Sequence, residues 1–286
     1  MASVRVRTAT GFLFAALVST GIYATSYGRP GLVAWCIAVP VTLLAAFELG
    51  SMGKFAAPGR SVLIPILTLP AAFAILNAFW NDASPWESVR LLLGVMLATA
   101  LVGGIIGRFA SAAPALDQPA GFLLGRLPLG FFAAWVGPPV AALALVHASF
   151  GTPALAALIV LSKLGDIAGY FVGKSIGKSH PFPKLSPGKT TAGCVASLVV
   201  GLAGGVGATF WDVLPGEPSM LQGALVGAAI NIAAQAADLF ESYMKRTSGV
   251  KDSSAMAGAS GGVLDVVDSL LFTVPLGLVL FALLAP

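Results

Sequence analysis

Residues 238–272, DLFESYMKRTSGVKDSSAMAGASGGVLDVVDSLLF, place acids and bases between two long apolar runs. Asp238, Glu241, Ser242 and Lys245 fall at i, i+3, i+4 and i+7, so they share one face of a helix. Asp265 and Asp268 are again spaced i, i+3. Carboxylates within an apolar span are expensive to keep, which points to a functional site. Clustered oxygens with cations beside them suit a hard divalent cation and phosphate. The alternative is a set of helix-end charges that reach for water.

Outward from this stretch, the chain is 286 residues long, 57% hydrophobic and only 10% charged. Its mean hydropathy is +0.91. An ordinary soluble domain has no such composition, so the expected class is an all-α, polytopic integral membrane protein. Cys36 and Cys194 both lie in apolar runs and offer neither a disulfide framework nor a metal-ligand spacing. The net charge of +4 does not call for nucleic acid, because membrane topology accounts for it.

A bilayer crossing needs about 20 apolar residues. Such runs occur at about 9–27, 31–50, 62–80, 90–107, 128–149, 153–173, 190–210, 221–244 and 263–284, which predicts about nine transmembrane helices. The fifth and sixth are joined by a very short link at Phe150 to Pro153, and Pro138-Pro139 interrupts the fifth. With a cytoplasmic N-terminus, the inner segments collect Arg5, Arg7, Lys54, Arg60, Arg108, Arg126, Lys174, Lys178, Lys184, Lys189, Lys245, Arg246 and Lys251. The outer segments hold Arg29 and Arg90, together with Asp82, Glu87, Asp212 and Glu217, and Trp80, Trp86 and Trp211 sit where an aromatic belt belongs. The expected organisation is one transmembrane domain, 1–286, with N-terminal scaffold spans (1–150) and C-terminal catalytic spans (151–286). Glu48, in AAFELG, is a lone acid at the end of the second run, open to a role at the site or at the interface.

A second polar segment follows the sixth run. Lys163 and Asp166 are spaced i, i+3, and Lys163 is a candidate partner for that acid. Gly169 and Gly173, at i, i+4, would let a helix or a ligand approach closely. Lys174, Lys178, Lys184 and Lys189 then surround Ser186 and Thr190. That basic cluster suits lipid headgroups or a nucleotide triphosphate. SPGKT at 186–190 is not a Walker A loop, because the GxxxxGK[ST] spacing is missing. His147 and His180 have no ligand-like neighbours.

The pattern DxxESxxKRxxxxKD, followed by a glycine pair and DxxDS, resembles the C-terminal motif of the phosphatidate cytidylyltransferases, which make CDP-diacylglycerol. It is carried by Asp238, Glu241, Ser242, Lys245, Arg246, Lys251, Asp252, Gly261, Gly262, Asp265, Asp268 and Ser269. Asp166, Gly169, Tyr170, Gly173, Ser186, Pro187, Lys189 and Thr190 match that family's DxxAY-type and SPxKT segments. The resemblance covers mainly residues 160–275.

It implies transfer of a cytidylyl group from CTP to phosphatidic acid with Mg²⁺ (or Mn²⁺), at the cytoplasmic face of the inner (plasma) membrane. By it, Asp238 and Asp265 form the metal pair, with Asp268 beside them, and Lys245, Arg246 and Lys251 join the catalytic set. Asp166, Ser186, Lys189, Thr190, Glu241, Ser242, Asp252, Ser260, Gly261 and Gly262 would bind substrate. A monovalent cation beside the divalent one, a homodimer and contacts with membrane lipids are left open.

Three departures stand out, the first being that the family's aromatic and acid or amide after SPxKT are here Thr191 and Ala192. The family's PGHGG is here Gly258, Ala259, Ser260, Gly261 and Gly262, and the arginine of its DRxD is Val266. A family member with altered or lost catalysis, a CTP-dependent enzyme on another lipid phosphate or a polyprenol, and an ion-coupled transporter are the alternatives.

Overall fold

The computed structural model describes residues 30–52, 60–79, 84–110, 129–254 and 262–285, with side chains described for 39–52, 61–72, 84–106, 129–254 and 262–285. The expected first span at 9–27 lies outside them. The described chain is all-helical: α1 (Pro30–Ser51), α2 (Arg60–Phe79), α3 (Pro85–Ala110), α4 (Leu129–Ala141), α5 (Leu143–Ile176), α6 (Thr191–Phe210), α7 (Met220–Ser248), α8 (Val263–Val267) and α9 (Leu270–Leu284). Among the described residues, five stretches are long and apolar enough to cross a membrane: Pro85–Ile106, Leu129–Ile176, Thr191–Phe210, Met220–Ser248 and Val263–Leu284. Val39–Ser51 and Ser61–Ala72 are shorter apolar helices.

Local chemistry accounts for the helix starts. Glu87 Oε2 accepts from Ser84 N at 2.8 Å, and Ser84 Oγ accepts from Glu87 N at 3.4 Å. Ser219 and Gln222 repeat that reciprocal cap at the start of α7. Thr190 caps α6 by accepting from Gly193 N at 3.1 Å.

The short link between the fifth and sixth expected spans lies inside α5, which Gly151 breaks at φ 80°, ψ 179°. A side chain would be strained there, so glycine is what permits the break. The last expected span is likewise interrupted, at Asp268 and Ser269 between α8 and α9.

The chain divides into two compact units. The first comprises Met1–Ala83, Arg90–Leu145 and Met244–Val267, and the second comprises Ser84–Val89, Val146–Tyr243 and Asp268–Pro286. In the first, α1, α2 and α4 pack together. Ala45, Ala46 and Leu49 of α1 with Met52 just after it, Ile64 and Ala71 of α2, and Phe132, Val136 and Val140 of α4 are buried. Small residues permit close contact: a Cβ on Gly137 would lie 2.6 Å from Thr68 Cβ.

In the second unit, α5 packs on α6 through Gly169, Gly173 and Gly193, so the spacing seen in the sequence serves helix approach. A Cβ on Gly173 would lie 2.7 Å from Thr190 Oγ1. Elsewhere in this unit, Phe150 and Phe281 meet edge to face at 5.7 Å, and Ser162 Oγ donates to Thr273 Oγ1 at 2.8 Å. Outward-facing residues are largely apolar, as on α6, where Val195, Val199 and Phe210 are exposed. A surface of that kind suits hydrocarbon as solvent, and the protein is a membrane protein.

Candidate active site

One side of α7 carries a polar stripe, Asn231, Gln235, Asp238, Ser242 and Lys245, in steps of three and four residues. Within the second unit, Asp238 and Glu241 of α7 meet Asp268, which stands where the last span is interrupted. One carboxylate oxygen from each lies within 4.8 Å of the other two. Glu241 and Asp268 are buried, at 1% and 8% exposure.

Two lysines from other segments close on this group. Lys163 Nζ of α5 is 3.2 Å from Asp268 Oδ1, and Lys189 Nζ is 2.6 Å from Asp238 Oδ2. Asp268 Oδ1 also accepts from Ser269 N at 2.6 Å. Asp166, exposed on α5, lies in electrostatic reach of Lys163, Asp268, Asp238 and Lys189. Asp238, Glu241, Asp268 and Asp166 thus draw together around Lys163 and Lys189.

Buried hydrogen bonds set the height of Asp238. Asn231 Nδ2 donates to Ser197 Oγ of α6 at 3.0 Å, and Gln235 Nε2 donates to Asn231 Oδ1 at 2.8 Å. Lys189 Nζ also donates to Gln235 O at 3.4 Å. Gly165 is the only residue type that fits against Asn231, since a Cβ there would come within 1.7 Å of Nδ2.

The first unit has its own acid pair. Asp265 Oδ1 accepts from Lys245 Nζ at 2.7 Å. Its Oδ2 accepts from Ser253 N at 3.0 Å, Ser253 Oγ at 2.8 Å and Gly262 N at 2.6 Å. Glu48, 1% exposed, bonds the same segment.

The expected site residues are thus distributed as follows. Asp238, Glu241, Asp268, Asp166 and Lys189 gather in the second unit, where Ser242 and Thr190 are buried and Ser186 is half-buried. Asp265, Lys245 and Gly262 gather in the first, where Arg246, Lys251 and Asp252 are exposed. Ser260 and Gly261 lie outside the described residues. Lys163, a candidate partner of Asp166, lies in electrostatic reach of that acid and also bonds Asp268. Asn231, Gln235 and Ser197 were missed, although Asn231 and Gln235 extend the Asp238 stripe by helical steps. Glu48 was visible as a lone acid, but its partners were not.

The carboxylate trio fits a hard cation. Mg²⁺ and Ca²⁺ take oxygen ligands at about 2.0–2.6 Å, so ligand oxygens around one ion lie roughly 3–5 Å apart. The separations within the trio do not exceed 4.8 Å, the upper part of that range. The donor set contains no thiolate or imidazole that would favour zinc or iron.

The described residues define a helical membrane protein in which Asp238, Asp265 and Asp268 each pair with a lysine. Residues 5–284 match the model of the Cytidylyltransferase family, and the chain belongs to that family. It is 39% identical over 127 residues to a phosphatidate cytidylyltransferase of Helicobacter pylori (strain J99), covering 44% of this chain and 46% of that protein. The Bacillus subtilis (strain 168) phosphatidate cytidylyltransferase is 38% identical over 119 residues, 41% of this chain and 43% of its own. Uncharacterized protein YnbB of Escherichia coli (strain K12) is 37% identical over 118 residues, 41% of this chain and 39% of its own. The matched part spans less than half the length of each of these curated relatives.

Proposed function

We propose that this protein transfers the cytidylyl group of CTP to phosphatidic acid, giving CDP-diacylglycerol and pyrophosphate. The observation that carries the reading is the trio of Asp238, Glu241 and Asp268 with its paired lysines. Family membership and relatives that bear the name phosphatidate cytidylyltransferase support it. We assign nine spans, a cytoplasmic N-terminus and reaction at the cytoplasmic face of the inner membrane, on the placement of lysine and arginine.

A phosphate oxygen of phosphatidic acid forms the new bond to the α-phosphorus of CTP, and the α–β bridging P–O bond breaks. Its electron pair leaves with pyrophosphate. The lipid phosphate is already an anion, so no strong base is needed. A bound Mg²⁺ or Mn²⁺ supplies charge neutralisation for the triphosphate and the departing pyrophosphate. Asp238, Glu241 and Asp268 would hold it. Asp265, one helical turn before Asp268 in sequence, is assigned to the catalytic set on the strength of the motif. Lys163 and Lys189 neutralise the carboxylates while the site is empty of substrate, then turn to phosphate oxygens as point charges.

This exchange gives a measurable expectation. Lys163→Gln removes a cation that competes for Asp268, so Mn²⁺ titration followed by electron paramagnetic resonance should show about threefold to tenfold tighter binding. Turnover should fall in the same variant, because the phosphate partner is gone. Equal or weaker Mn²⁺ binding would show that lysine and metal do not compete.

The activity itself is tested with purified protein in detergent, CTP, Mg²⁺ and phosphatidic acid, by following pyrophosphate release and the CDP-lipid. Product from the natural chain supports the assignment. Its absence from folded protein that binds neither CTP nor Mn²⁺ overturns it.

A further inference from the structure

Glu48 lies at the end of α1, far in sequence from every motif of the proposed site, yet both its carboxylate oxygens are committed to one segment of the first unit. Oε1 accepts from Val263 N at 3.0 Å and from Ser254 Oγ. Oε2 accepts from Leu264 N at 2.8 Å and Ser253 Oγ at 3.2 Å. Val263 and Leu264 open α8, where backbone N–H groups lack helical partners, so a carboxylate there is favoured by hydrogen bonding and by the helix dipole.

The Ser253 hydroxyl links Glu48 to Asp265. Its oxygen lies 3.2 Å from Glu48 Oε2 and 2.8 Å from Asp265 Oδ2. A hydroxyl has one proton, and here it is shared between two carboxylates. Gly262 completes the contact: its N–H donates to Asp265 at 2.6 Å. A Cβ on it would lie 2.0 Å from Ser253 Oγ and 2.5 Å from Glu48 Oε2, so any side chain would separate the two acids from their shared donors.

From these bonds we infer that Glu48 is a positioning residue, which fixes the carboxylate of Asp265 by anchoring Ser253 and the first turn of α8. It does not touch substrate. The inference rests on the proposed role of Asp265 in cytidylyl transfer. Neutral glutamine at position 48 keeps the size of the side chain but offers one acceptor oxygen and turns an NH₂ group toward donors. Aspartate keeps the charge but falls one methylene short.

The test compares the natural chain with Glu48→Gln, Glu48→Asp and Ser253→Ala, each full length in detergent. Hydrogen–deuterium exchange of peptides over residues 262–267 reads the anchor, and kcat and KM for CTP read its consequence. In Glu48→Gln, exchange there should rise at least about tenfold while peptides of α6 are unchanged, and kcat should fall about 10–100-fold at unchanged KM, as for residues that orient a ligand rather than serve as one. Glu48→Asp should recover part of both. Unchanged exchange in Glu48→Gln, or raised exchange with natural kcat, overturns the inference.

If Glu48→Gln fails to insert, Ser253→Ala decides. It deletes only the shared hydroxyl at a half-buried position and should lower kcat about threefold to tenfold, the effect of one hydrogen bond. Natural kcat in that variant overturns the inference. A natural chain that makes no CDP-lipid overturns the synthase reading separately, and the exchange measurement still decides whether Glu48 anchors α8.

Discussion

Asp268→Asn should reduce CDP-lipid formation at least about 100-fold, since charge stabilisation by a bound metal is worth several kcal/mol and each 1.4 kcal/mol is a factor of ten. Asp268 is singled out because it is a buried member of the trio and is held by Lys163 and by the Ser269 N–H. Asparagine preserves shape and can still accept from Ser269, so the helix junction survives. What it loses is the negative charge that would face a cation.

Lys163, released from Asp268, keeps Asp166 in electrostatic reach and has a side chain 34% exposed that can be hydrated, so insertion and folding should persist. The measurement is pyrophosphate release with product chromatography, beside a size-exclusion profile that verifies the fold. A variant that keeps more than about a tenth of the activity would remove Asp268 from the metal-binding assignment. Such a residue would contribute no more than an ordinary charge-assisted hydrogen bond.

Gly205→Val should be the most damaging substitution away from the acids. Where α6 crosses α7, a Cβ on Gly205 would lie 2.0 Å from Gly223 O and 2.9 Å from Gly227 N. From the other side, a Cβ on Gly227 would lie 2.2 Å from Gly201 O. These neighbours are backbone atoms, which cannot rotate aside as a side chain can. The helices must separate, and overpacking of this kind costs about 1–3 kcal/mol or more.

In a membrane the loss is not recovered by hydrophobic burial elsewhere, because lipid is as apolar as the helix faces. The expected result is a fall of at least about 5 °C in the thermal midpoint in detergent. Gly207→Ala is the control, since its nearest neighbour would be 3.5 Å away on Trp211. Function should suffer too, because α7 carries Asp238 and α6 begins directly after Lys189, whose pairing at 2.6 Å depends on that crossing. An unchanged midpoint in Gly205→Val would mean that the crossing is looser than the described contacts.

Much of this protein is legible from local pattern. The apolar run at 221–244 forms the core of α7, and 190–210 corresponds to α6, because helices in a bilayer satisfy their own backbone and need only length and composition. The i, i+3 spacing of Asp238 and Glu241 places both in the trio, since that spacing fixes a shared helix face whatever surrounds it. Glu48 too stood out in the sequence as a lone acid at the end of an apolar run.

Partner choice was not legible. Lys163 sits one turn from Asp166 in sequence but bonds Asp268, 105 residues away. Glu48 reaches donors more than 200 residues downstream. By itself the amino-acid order determined the membrane class, the helices at 190–210 and 221–244 and which acids share a face, because these follow from composition and the 3.6-residue period. Only the tertiary structure decided which ammonium meets which carboxylate and where Asp265 finds its donors. Those pairings depend on helix crossings set by glycine contacts and on the interruptions at Gly151 and Asp268–Ser269, and no local period encodes them.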